Sequence, residues 1–277
     1  MKIFKTKSNL IHYLSLYGQK KSIGFVPTMG ALHSGHLALV EASKADCDLT
    51  VASIYVNPTQ FNNANDFKKY PKTLNYDLEK LQKLDCDIVY APLNNDLYNE
   101  EEKAKNFDFG TLSINMEGKF RPGHFNGMAT VIEKFFNIIN PTKAYFGEKD
   151  LQQLQIVKML VIQMQSQIKI VGIPTIREKN GLAKSSRNKL LSNNGRKKAS
   201  LIFNCLNYCR VNKRQGIHKL KEYIQHRFKE EDINLEYCEI INSKNMLPIK
   251  RWREKNENAI CIAAKVEEVR LIDNIIL

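Results

Sequence analysis

The 277-residue sequence has no long apolar run, no C-x-x-C pair and no internal repeat, and each absence excludes a class of protein. No stretch approaches the roughly 20 consecutive apolar residues of a transmembrane helix, and the first lysines are not followed by the apolar segment of a secretory signal peptide. Six cysteines without such a pair, in a chain of this size, are typical of reduced thiols. We therefore expect a cytoplasmic protein that does not associate with a membrane.

The formal net charge of +13 is concentrated near the C-terminal end. Residues 177–277 hold 22 Lys and Arg against 12 Asp and Glu. A basic region of this kind binds nucleic acid, draws anionic substrates toward a cleft, or is simply a solvated surface. The basic residues are scattered and form no recognisable nucleic-acid motif, so we favour the solvated surface and expect no nucleic-acid partner.

Apolar strands alternate with helical segments over the first 175 residues. Strands are predicted at 22–26, 49–56, 87–92, 144–146 and 168–173. Helices are predicted at 8–17, 73–84, 124–139 and 151–165, another begins near His36, and the polar segment 94–105 reads as a loop or a frayed helix. This alternation predicts an α/β fold with a parallel sheet covered by helices on both faces.

The pattern changes after Pro174. A polar loop at 177–187 leads into two helical stretches, near 192–212 and 217–230, and three short strands follow. The strands are predicted at 235–241, 259–264 and 269–276. We therefore predict a catalytic domain at 1–175 and a smaller α+β domain at 176–277.

The stretch Pro27–His36 joins a buried strand to a helix through a turn built on Gly30 and Gly35. This arrangement directs backbone N–H groups and the positive end of the helix dipole at one point, which favours a bound anion. His33 and His36 are three residues apart, so both imidazoles can face that point and donate to phosphate oxygens.

The residues of this stretch alone leave alternatives open. His36 and Leu37 stand where a Walker A loop needs Lys and Ser or Thr, so we exclude that loop. An ordinary strand-to-helix turn and a zinc site remain alternatives for an isolated H-x-x-H.

Further candidate segments follow predicted strands, at the sheet edge where α/β proteins bind ligands. Gln60 lies in N-P-T-Q-F, and its amide both donates and accepts hydrogen bonds. Lys149 lies in F-G-E-K-D-L-Q-Q and offers a positive charge to phosphate, although Asp150 and Gln153 also have the spacing of a capping box.

Two loops carry arginine. Ser185, Ser186 and Arg187 supply hydroxyls and a guanidinium in a loop suited to phosphate. The segment 117–127 is basic and rich in glycine, and it serves either as a lid carrying Arg121 or as a connection into the helix at His124.

Four signatures stand in order along the chain: P-T-M-G-A-L-H-S-G-H at 27–36, N-P-T-Q-F at 57–61, R-P-G-H-F-N-G and F-G-E-K-D-L-Q-Q within 121–153, and S-S-R-N at 185–188. The first contains the H-x-G-H element of the nucleotidyltransferase superfamily. The series resembles the pantothenate synthetase family, the AMP-forming pantoate–β-alanine ligases, over most of residues 20–192. The resemblance implies a Rossmann-like sheet.

The resemblance also implies a set of site residues. Those expected to bind ATP are Met29, Gly30, Ala31, Leu32, His33, Ser34, Gly35, His36, Gly147, Glu148, Lys149, Asp150, Ile176, Lys184, Ser185, Ser186 and Arg187. Pantoate is expected at Gln60 and Gln153, with β-alanine entering near Gln60. The implied catalytic residues are His33, His36 and Lys149.

The reaction implied by the resemblance is the ATP-dependent condensation of (R)-pantoate with β-alanine through a pantoyl adenylate, with Mg²⁺ accompanying ATP. A homodimer is also implied. The chain departs from the family by having Lys184 where Met or Leu is common and Asn180 where Asp is frequent. Two rival hypotheses are a nucleotidyltransferase acting on a phosphorylated alcohol and a basic nucleic-acid-binding module.

Overall fold

The computed structural model describes residues 1–17, 21–99, 102–254 and 257–277. These residues form two compact units. Unit 1 contains 1–109, 121–148 and 156–174, and unit 2 contains 110–120, 149–155 and 175–277. Two short segments that precede residue 175, namely 110–120 and 149–155, therefore belong to the unit that holds the C-terminal part of the chain. The predicted division into domains 1–175 and 176–277 places both segments in the first domain, and this division stays a prediction.

Unit 1 is built around a parallel sheet. Its strands are β1 (Lys2–Phe4), β2 (Ile23–Thr28), β3 (Leu49–Ile54), β4 (Ile88–Tyr90), β5 (Lys143–Gly147) and β6 (Lys169–Ile173). Its helices are α1 (Lys7–Ser15), α2 (Ser34–Asp46), α3 (Ala64–Lys69), α4 (Leu74–Lys83), α5 (Asn94–Leu97) and α7 (His124–Ile139). Helix α6 (Glu117–Phe120) belongs to unit 2, and α8 (Leu151–Gln163) begins in unit 2 and continues in unit 1.

The strand order of this sheet is β1-β4-β3-β2-β5-β6, and each pairing is parallel. From β2 the chain proceeds outward through β3 to β4, then crosses back to place β5 on the other side of β2. The strand order therefore reverses between β2 and β5. In open parallel sheets this reversal creates a crevice at the carboxyl ends of the two strands, where ligands bind.

Both faces of the sheet are covered because β2 alternates apolar side chains between them. Val26 packs in a cluster with Leu39 of α2 and Leu81 of α4. Phe25 points to the opposite face, where its ring lies 5.6 Å from that of Phe135 in α7. Each fully buried side chain of this size contributes about 1.5–3 kcal/mol to stability. The predicted α/β class with helices on both faces is confirmed.

Unit 2 contains a three-stranded antiparallel sheet in the order β7-β8-β9. Its elements are α9 (Asn193–Val211), α10 (Ile217–Glu230), β7 (Asn234–Asn242), β8 (Asn258–Val266) and β9 (Val269–Ile276). Apolar residues of the two helices, such as Leu206 and Phe228, share one core with Ile262 of β8 and Leu271 of β9. The predicted smaller α+β part is confirmed.

Buried polar groups join the early segment 110–120 to the rest of unit 2. Glu117 accepts from Arg270 at 2.7 and 2.9 Å and from the Tyr237 hydroxyl at 2.9 Å. Burial alone lowers the pKa of Arg270, but its ion pairs with Glu117 and Glu236 raise the pKa above the usual value. Gln152 binds the main chain of the same segment, donating to Leu112 O at 2.8 Å. Because these partners are far apart in sequence, the order of predicted elements does not indicate that segment 110–120 belongs to unit 2.

Most predicted elements are observed with shifts of a few residues at their ends. The predicted helix 124–139 coincides with α7 because Gly123 precedes it and Asn140, with φ at +46°, ends it before Pro141. The segment 94–105 contains the short α5 at its start, while residues 100–101 lie outside the described residues. None of the helices among the described residues is long and apolar enough to cross a lipid bilayer.

All six cysteines are free thiols, and all but Cys47 are buried. Burial raises the pKa of Cys86 to about 11 and that of Cys205 and Cys209 to about 12. Burial also raises the pKa of Cys238 and Cys261. Since the thiolate is the reactive form, these five cysteines are unreactive in the folded protein.

We expect a thiol reagent at about pH 8 to modify only Cys47 rapidly in the native protein, because the other thiols are buried and protonated. After denaturation all six should react. Time-resolved labelling followed by mass spectrometry of peptides measures both stages. Rapid native labelling of Cys205 or Cys261 would contradict this packing.

Candidate active site

Residues 29–36, which follow β2 and include the first three residues of α2, are called the histidine turn below. Thr28 prepares it, because its hydroxyl donates to Ser53 O at 2.6 Å and accepts from the Gly30 N–H at 3.1 Å. Gly30 has φ at +78° and Ala31 has φ at +51°. Glycine adopts this left-handed conformation readily, whereas a residue with a side chain is strained by about 1–2 kcal/mol. Ala31 must therefore be held in place by other contacts.

Helix α4 supplies those contacts. The Asp77 carboxylate, which is fully buried, accepts from the N–H groups of Ala31 at 2.8 Å and Leu32 at 2.7 Å. One turn later in the helix, Lys80 Nζ donates to Leu32 O at 2.6 Å. Thr73 donates to the Asp77 carboxylate at 3.1 Å. Asp77 and Lys80 of one helix therefore bind the main-chain N–H groups and the carbonyl group of the turn.

The two imidazoles of the turn are stacked at the beginning of α2, with ring centroids 4.0 Å apart. His33 is the N-cap residue, and its Nδ1 accepts from the Gly35 N–H at 3.1 Å. His36 Nδ1 accepts from the His33 N–H at 3.3 Å. A neutral imidazole that accepts at Nδ1 carries its proton at Nε2. Each ring is thus a neutral Nε2–H donor at the positive end of a helix dipole.

The carboxyl ends of β2 and β5 lie at the reversal of the sheet. β2 pairs with β3 as far as Thr28, whereas its pairing with β5 stops at Phe25↔Ala144. A Cβ atom added at Gly147, the last residue of β5, would meet no atom of the protein within 4 Å. Open space therefore lies against the main chain of Gly147, on the same sheet edge that carries the histidine turn.

Gln60 lies in a short 3₁₀ turn after β3, and its side chain is buried. Its Nε2 lies 3.0 Å from Met29 Sδ, and its Oε1 accepts from Asn57 Nδ2 at 3.3 Å. Asn57 in turn accepts from the Tyr98 hydroxyl at 2.9 Å. Burial raises the pKa of Tyr98, so that hydroxyl remains a donor. The structure thus brings Gln60 and Met29 together, and Asn57 fixes the orientation of the Gln60 amide.

The R-P-G-H-F-N-G segment supports the same turn. His124 Nδ1 lies 2.9 Å from Gln60 O, and Arg121 Nη2 donates to that oxygen at 3.4 Å. A Cβ at Gly127 would collide with Thr59 O, so glycine lets α7 approach the turn closely. Of the two hypotheses for this segment, the structure supports a connection that positions Gln60.

Lys149 and Asp150 follow β5 and belong to unit 2. Lys149 Nζ lies 3.3 Å from Asp150 Oδ1, and the Lys149 carbonyl accepts from Asn274 Nδ2 at 2.8 Å. The next glutamines differ in role, because Gln152 is buried in contacts with segment 110–120 while Gln153 is only half-buried.

The predicted polar loop at 177–187 contains a small hairpin. Arg177 bridges to Ala183, and the Lys184 N–H donates to Ile176 O at 2.9 Å. Ser185 then caps a 3₁₀ helix over Ser186–Leu190 by accepting from the Arg187 N–H at 3.3 Å. The segment carrying Ser185, Ser186 and Arg187 is therefore a defined structure rather than a free loop.

Lys184 and Asn180, the two positions predicted to depart from the family pattern, have local partners. Lys184 Nζ lies 3.4 Å from Glu178 Oε1, so an acidic side chain balances the added charge. Asn180 Oδ1 accepts from the Leu182 N–H at 3.2 Å and stabilises the hairpin turn, a role that does not need the carboxylate of aspartate.

Metal-binding clusters of three or more His, Cys, Asp or Glu side chains do not occur within the described ranges, which contain both His33 and His36. The two histidines instead cap a helix, which favours the anion-binding hypothesis over the zinc alternative.

The whole sequence was compared with known families. The family described as pantoate-beta-alanine ligase matches residues 2–276. The chain belongs to the pantoate-beta-alanine ligase family. A relative within the family, the pantothenate synthetase of Flavobacterium psychrophilum, is 45% identical over 281 residues and is covered completely, as is this chain. The protein of that name from Christiangramia forsetii is 44% identical over 100% of this chain and 99% of its own.

Solved structures of the family have the same fold. Pantothenate synthetase from Thermus thermophilus superposes with a TM-score of 0.93 at 36% identity, covering 99% of each chain. The pantoate-beta-alanine ligase from Francisella tularensis, described as complexed with beta-gamma ATP and beta-alanine, has a TM-score of 0.85 at 35% identity. It covers 100% of this chain and 97% of its own. The family assignment made from the motifs is confirmed.

Sequence reasoning did not identify the residues that hold the ligase motifs in place. Asp77 and Asn274 each bind a motif from outside it, and Asn57 fixes Gln60 from within N-P-T-Q-F. Asn57 could have been named from its place in that motif, whereas Asp77 reads only as an acid in the first turn of a helix. The importance of Asp77 depends on a contact across 46 residues.

Asp77→Ala should lower the free energy of unfolding by about 2–5 kcal/mol, because it removes the carboxylate that accepts from two buried N–H groups. It should also reduce activity, since the histidine turn loses its support. Denaturant unfolding measures the first effect. The matched control is Glu79→Ala on the exposed side of the same helix, and equal destabilisation by both changes would contradict the role given to Asp77.

Proposed function

We propose that this chain catalyses the ATP-dependent condensation of (R)-pantoate with β-alanine to pantothenate, AMP and pyrophosphate, through a pantoyl adenylate. The observation that carries the proposal is the histidine turn, with two neutral Nε2–H donors at a helix N-terminus on the ligand-binding edge of a parallel sheet. Membership of the pantoate-beta-alanine ligase family supports it. A nucleotidyltransferase acting on a phosphorylated alcohol has no use for the Gln60 amide.

The family resemblance supports a set of ATP-binding residues, which are Met29–His36, Gly147, Glu148, Lys149, Asp150, Ile176 and Lys184–Arg187. The open space at Gly147 allows a ligand to approach the main chain. The set contains hydrogen-bond donors and positive charges that suit a triphosphate.

Pantoate binds at Gln60 and Gln153, and β-alanine enters near Gln60. The buried position of Gln60 supports this assignment, because its amide is fixed by Asn57 and close to Met29 of the histidine turn. A fixed amide orients a small hydroxy acid better than a mobile one, since no freedom has to be lost on binding.

The first step joins the pantoate carboxylate to the α-phosphorus of ATP and breaks the bond to pyrophosphate. Pantoate is already ionised at neutral pH, so this step needs orientation and charge stabilisation rather than a general base. His33, His36, Lys149 and the Ser185–Arg187 segment stabilise the negative charge that develops on the phosphoryl oxygens and on departing pyrophosphate.

In the second step the amine of β-alanine attacks the carbonyl carbon of the adenylate, forming the amide bond and releasing AMP. The proton lost by the amine leaves with AMP or passes to solvent. His36, as an Nε2–H donor beside the phosphate, stabilises the departing AMP.

Magnesium is part of the proposal as a companion of ATP. Mg²⁺ is usually held by phosphate oxygens and water together with one or two carboxylates. Groups of three or more His, Cys, Asp or Glu side chains that could hold a metal do not occur among the described residues, so Asp150 beside Lys149 would supply a single carboxylate to an ion that accompanies ATP. We also propose a cytoplasmic homodimer, following the family resemblance.

His36→Ala should reduce pantoate-dependent release of pyrophosphate from ATP about 10²–10³-fold, because one donor to the developing charge is lost. Formation of AMP and amide on addition of β-alanine should fall equally. The control is His218→Ala, whose side chain is exposed on α10. Pyrophosphate release that does not require pantoate in the unaltered enzyme would favour the rival nucleotidyltransferase.

Gly147→Ala should raise the KM for ATP at least about tenfold, because the added methyl group occupies the space assigned to the nucleotide. It should not destabilise the protein, since the methyl group meets no protein atom. Steady-state kinetics and thermal unfolding measure the two effects. An unchanged KM for ATP would remove Gly147 from the ATP site.

A further inference from the structure

Strand β9 contains two adjacent buried polar residues, Asp273 and Asn274, which are 4% and 6% exposed. Successive side chains of a strand point to opposite faces of the sheet. Leu271 and Ile275 place one face of β9 against the apolar core of unit 2. Because buried polar side chains need hydrogen-bond partners, Asp273 and Asn274 require a partner on each face of the strand. Both have such partners, and both partners belong to segments proposed to bind phosphate.

Asp273 binds the hairpin that leads to Ser185–Arg187. Its carboxylate accepts two hydrogen bonds from Arg177, at 2.5 and 3.0 Å. Arg177 also donates to Gly181 O at 3.1 Å, and its guanidinium lies 4.2 Å from the centre of the Phe203 ring. A paired, planar contact of this kind fixes the orientation of the guanidinium. The base of the hairpin is therefore attached to β9.

Asn274 binds the other segment. Its Nδ2 donates to the main-chain carbonyl of Lys149 at 2.8 Å. Its own N–H donates to Asp273 Oδ1 at 2.8 Å, the oxygen that also accepts from Arg177 Nη2. One carboxylate thus joins the hairpin contact to the Lys149 contact within a continuous chain of hydrogen bonds.

We infer that Asp273 and Asn274 are positioning residues for ATP, fixing the main chain of Lys149 relative to the hairpin that carries Lys184–Arg187. The inference rests on the proposed function of those two segments. Lys149 and Arg187 are 38 positions apart in the chain, and β9 lies more than 80 positions beyond both. A displacement of about 1 Å in a charge-stabilising group costs on the order of 10²-fold in rate.

The role of Asn274 is tested by a double-mutant cycle with Lys149, using the rate of pantoate-dependent pyrophosphate release. Asn274→Ala should lower kcat about 10–100-fold in the unaltered enzyme. In a Lys149→Ala enzyme the same change should have less than about a twofold effect, because the group that Asn274 positions is absent. An equal loss in both backgrounds would overturn the inference.

A matched control separates positioning from stability. Ile275→Ala on the same strand removes packing against the core of unit 2 but no contact to Lys149. It should lower the melting temperature while retaining kcat well below that temperature. If Asn274→Ala does not fold, Asn274→Ser, whose shorter side chain cannot reach the Lys149 carbonyl, replaces it. A folded Asn274→Ser enzyme with unaltered kcat would overturn the inference.

The contact of Asp273 with the hairpin is tested by a separate measurement. Asp273→Asn should raise the KM for ATP about tenfold and leave the KM for pantoate unchanged, because only the phosphate-binding segment moves. An unchanged KM for ATP would overturn this half. The rates of the unaltered and Lys149→Ala enzymes report on the proposed function, whereas the ratio between backgrounds reports on Asn274 alone. Failure of the proposed function and failure of the inference about Asn274 therefore give different experimental results.

Discussion

Two hydrogen bonds that the Asp77 carboxylate accepts from the N–H groups of Ala31 and Leu32 determine the shape of the histidine turn. Ala31 is in a left-handed conformation that it does not favour on its own. Only with that conformation does the chain leave β2 and enter α2 with His33 as the N-cap residue. The proposed chemistry depends on this support, because both imidazoles are oriented by the turn.

The same principle operates elsewhere in the protein. Gln60 is fixed by Asn57 and by the approach of α7 at Gly127, and Lys149 is fixed by Asn274. In each case a residue proposed to touch substrate is held by a buried polar side chain, which is close in sequence for Gln60 and distant for Lys149. Such groups are costly to bury without partners, so each contact also stabilises the fold. Stability and preorganisation are therefore achieved by the same hydrogen bonds.

Sequence reasoning reached the α/β class, the family and most elements because those depend on local patterns. The limits of α7 follow from Gly123 and Asn140 at its two ends. The capping role of His33 could not be predicted, because it depends on the orientation of the His33 side chain. The inclusion of segment 110–120 in unit 2 could not be predicted either, because the ion pair between Glu117 and Arg270 spans 153 positions.

The candidate site divides in the same way. Motif residues such as His36 and Gln60 could be named from the sequence because their types and spacing carry the chemistry. The supporting residues outside the motifs, Asp77 and Asn274, could not be named, because a buried Asp or Asn has no characteristic sequence pattern. The sequence predicts only a polar loop at 177–187 for a related reason, since the hairpin found there is stabilised by the contact of Arg177 with Asp273 on a distant strand.

The central claim is that the turn presents two neutral imidazoles as Nε2–H donors to the phosphates of ATP. The most direct measurement is the nitrogen-15 spectrum of the His33 and His36 rings in isotopically labelled protein at neutral pH, with and without a non-hydrolysable ATP analogue. The account predicts the Nε2–H tautomer for both rings, with both Nε2–H resonances moving when the analogue binds. An Nδ1–H tautomer in either ring, or resonances unaffected by saturating analogue, would contradict it.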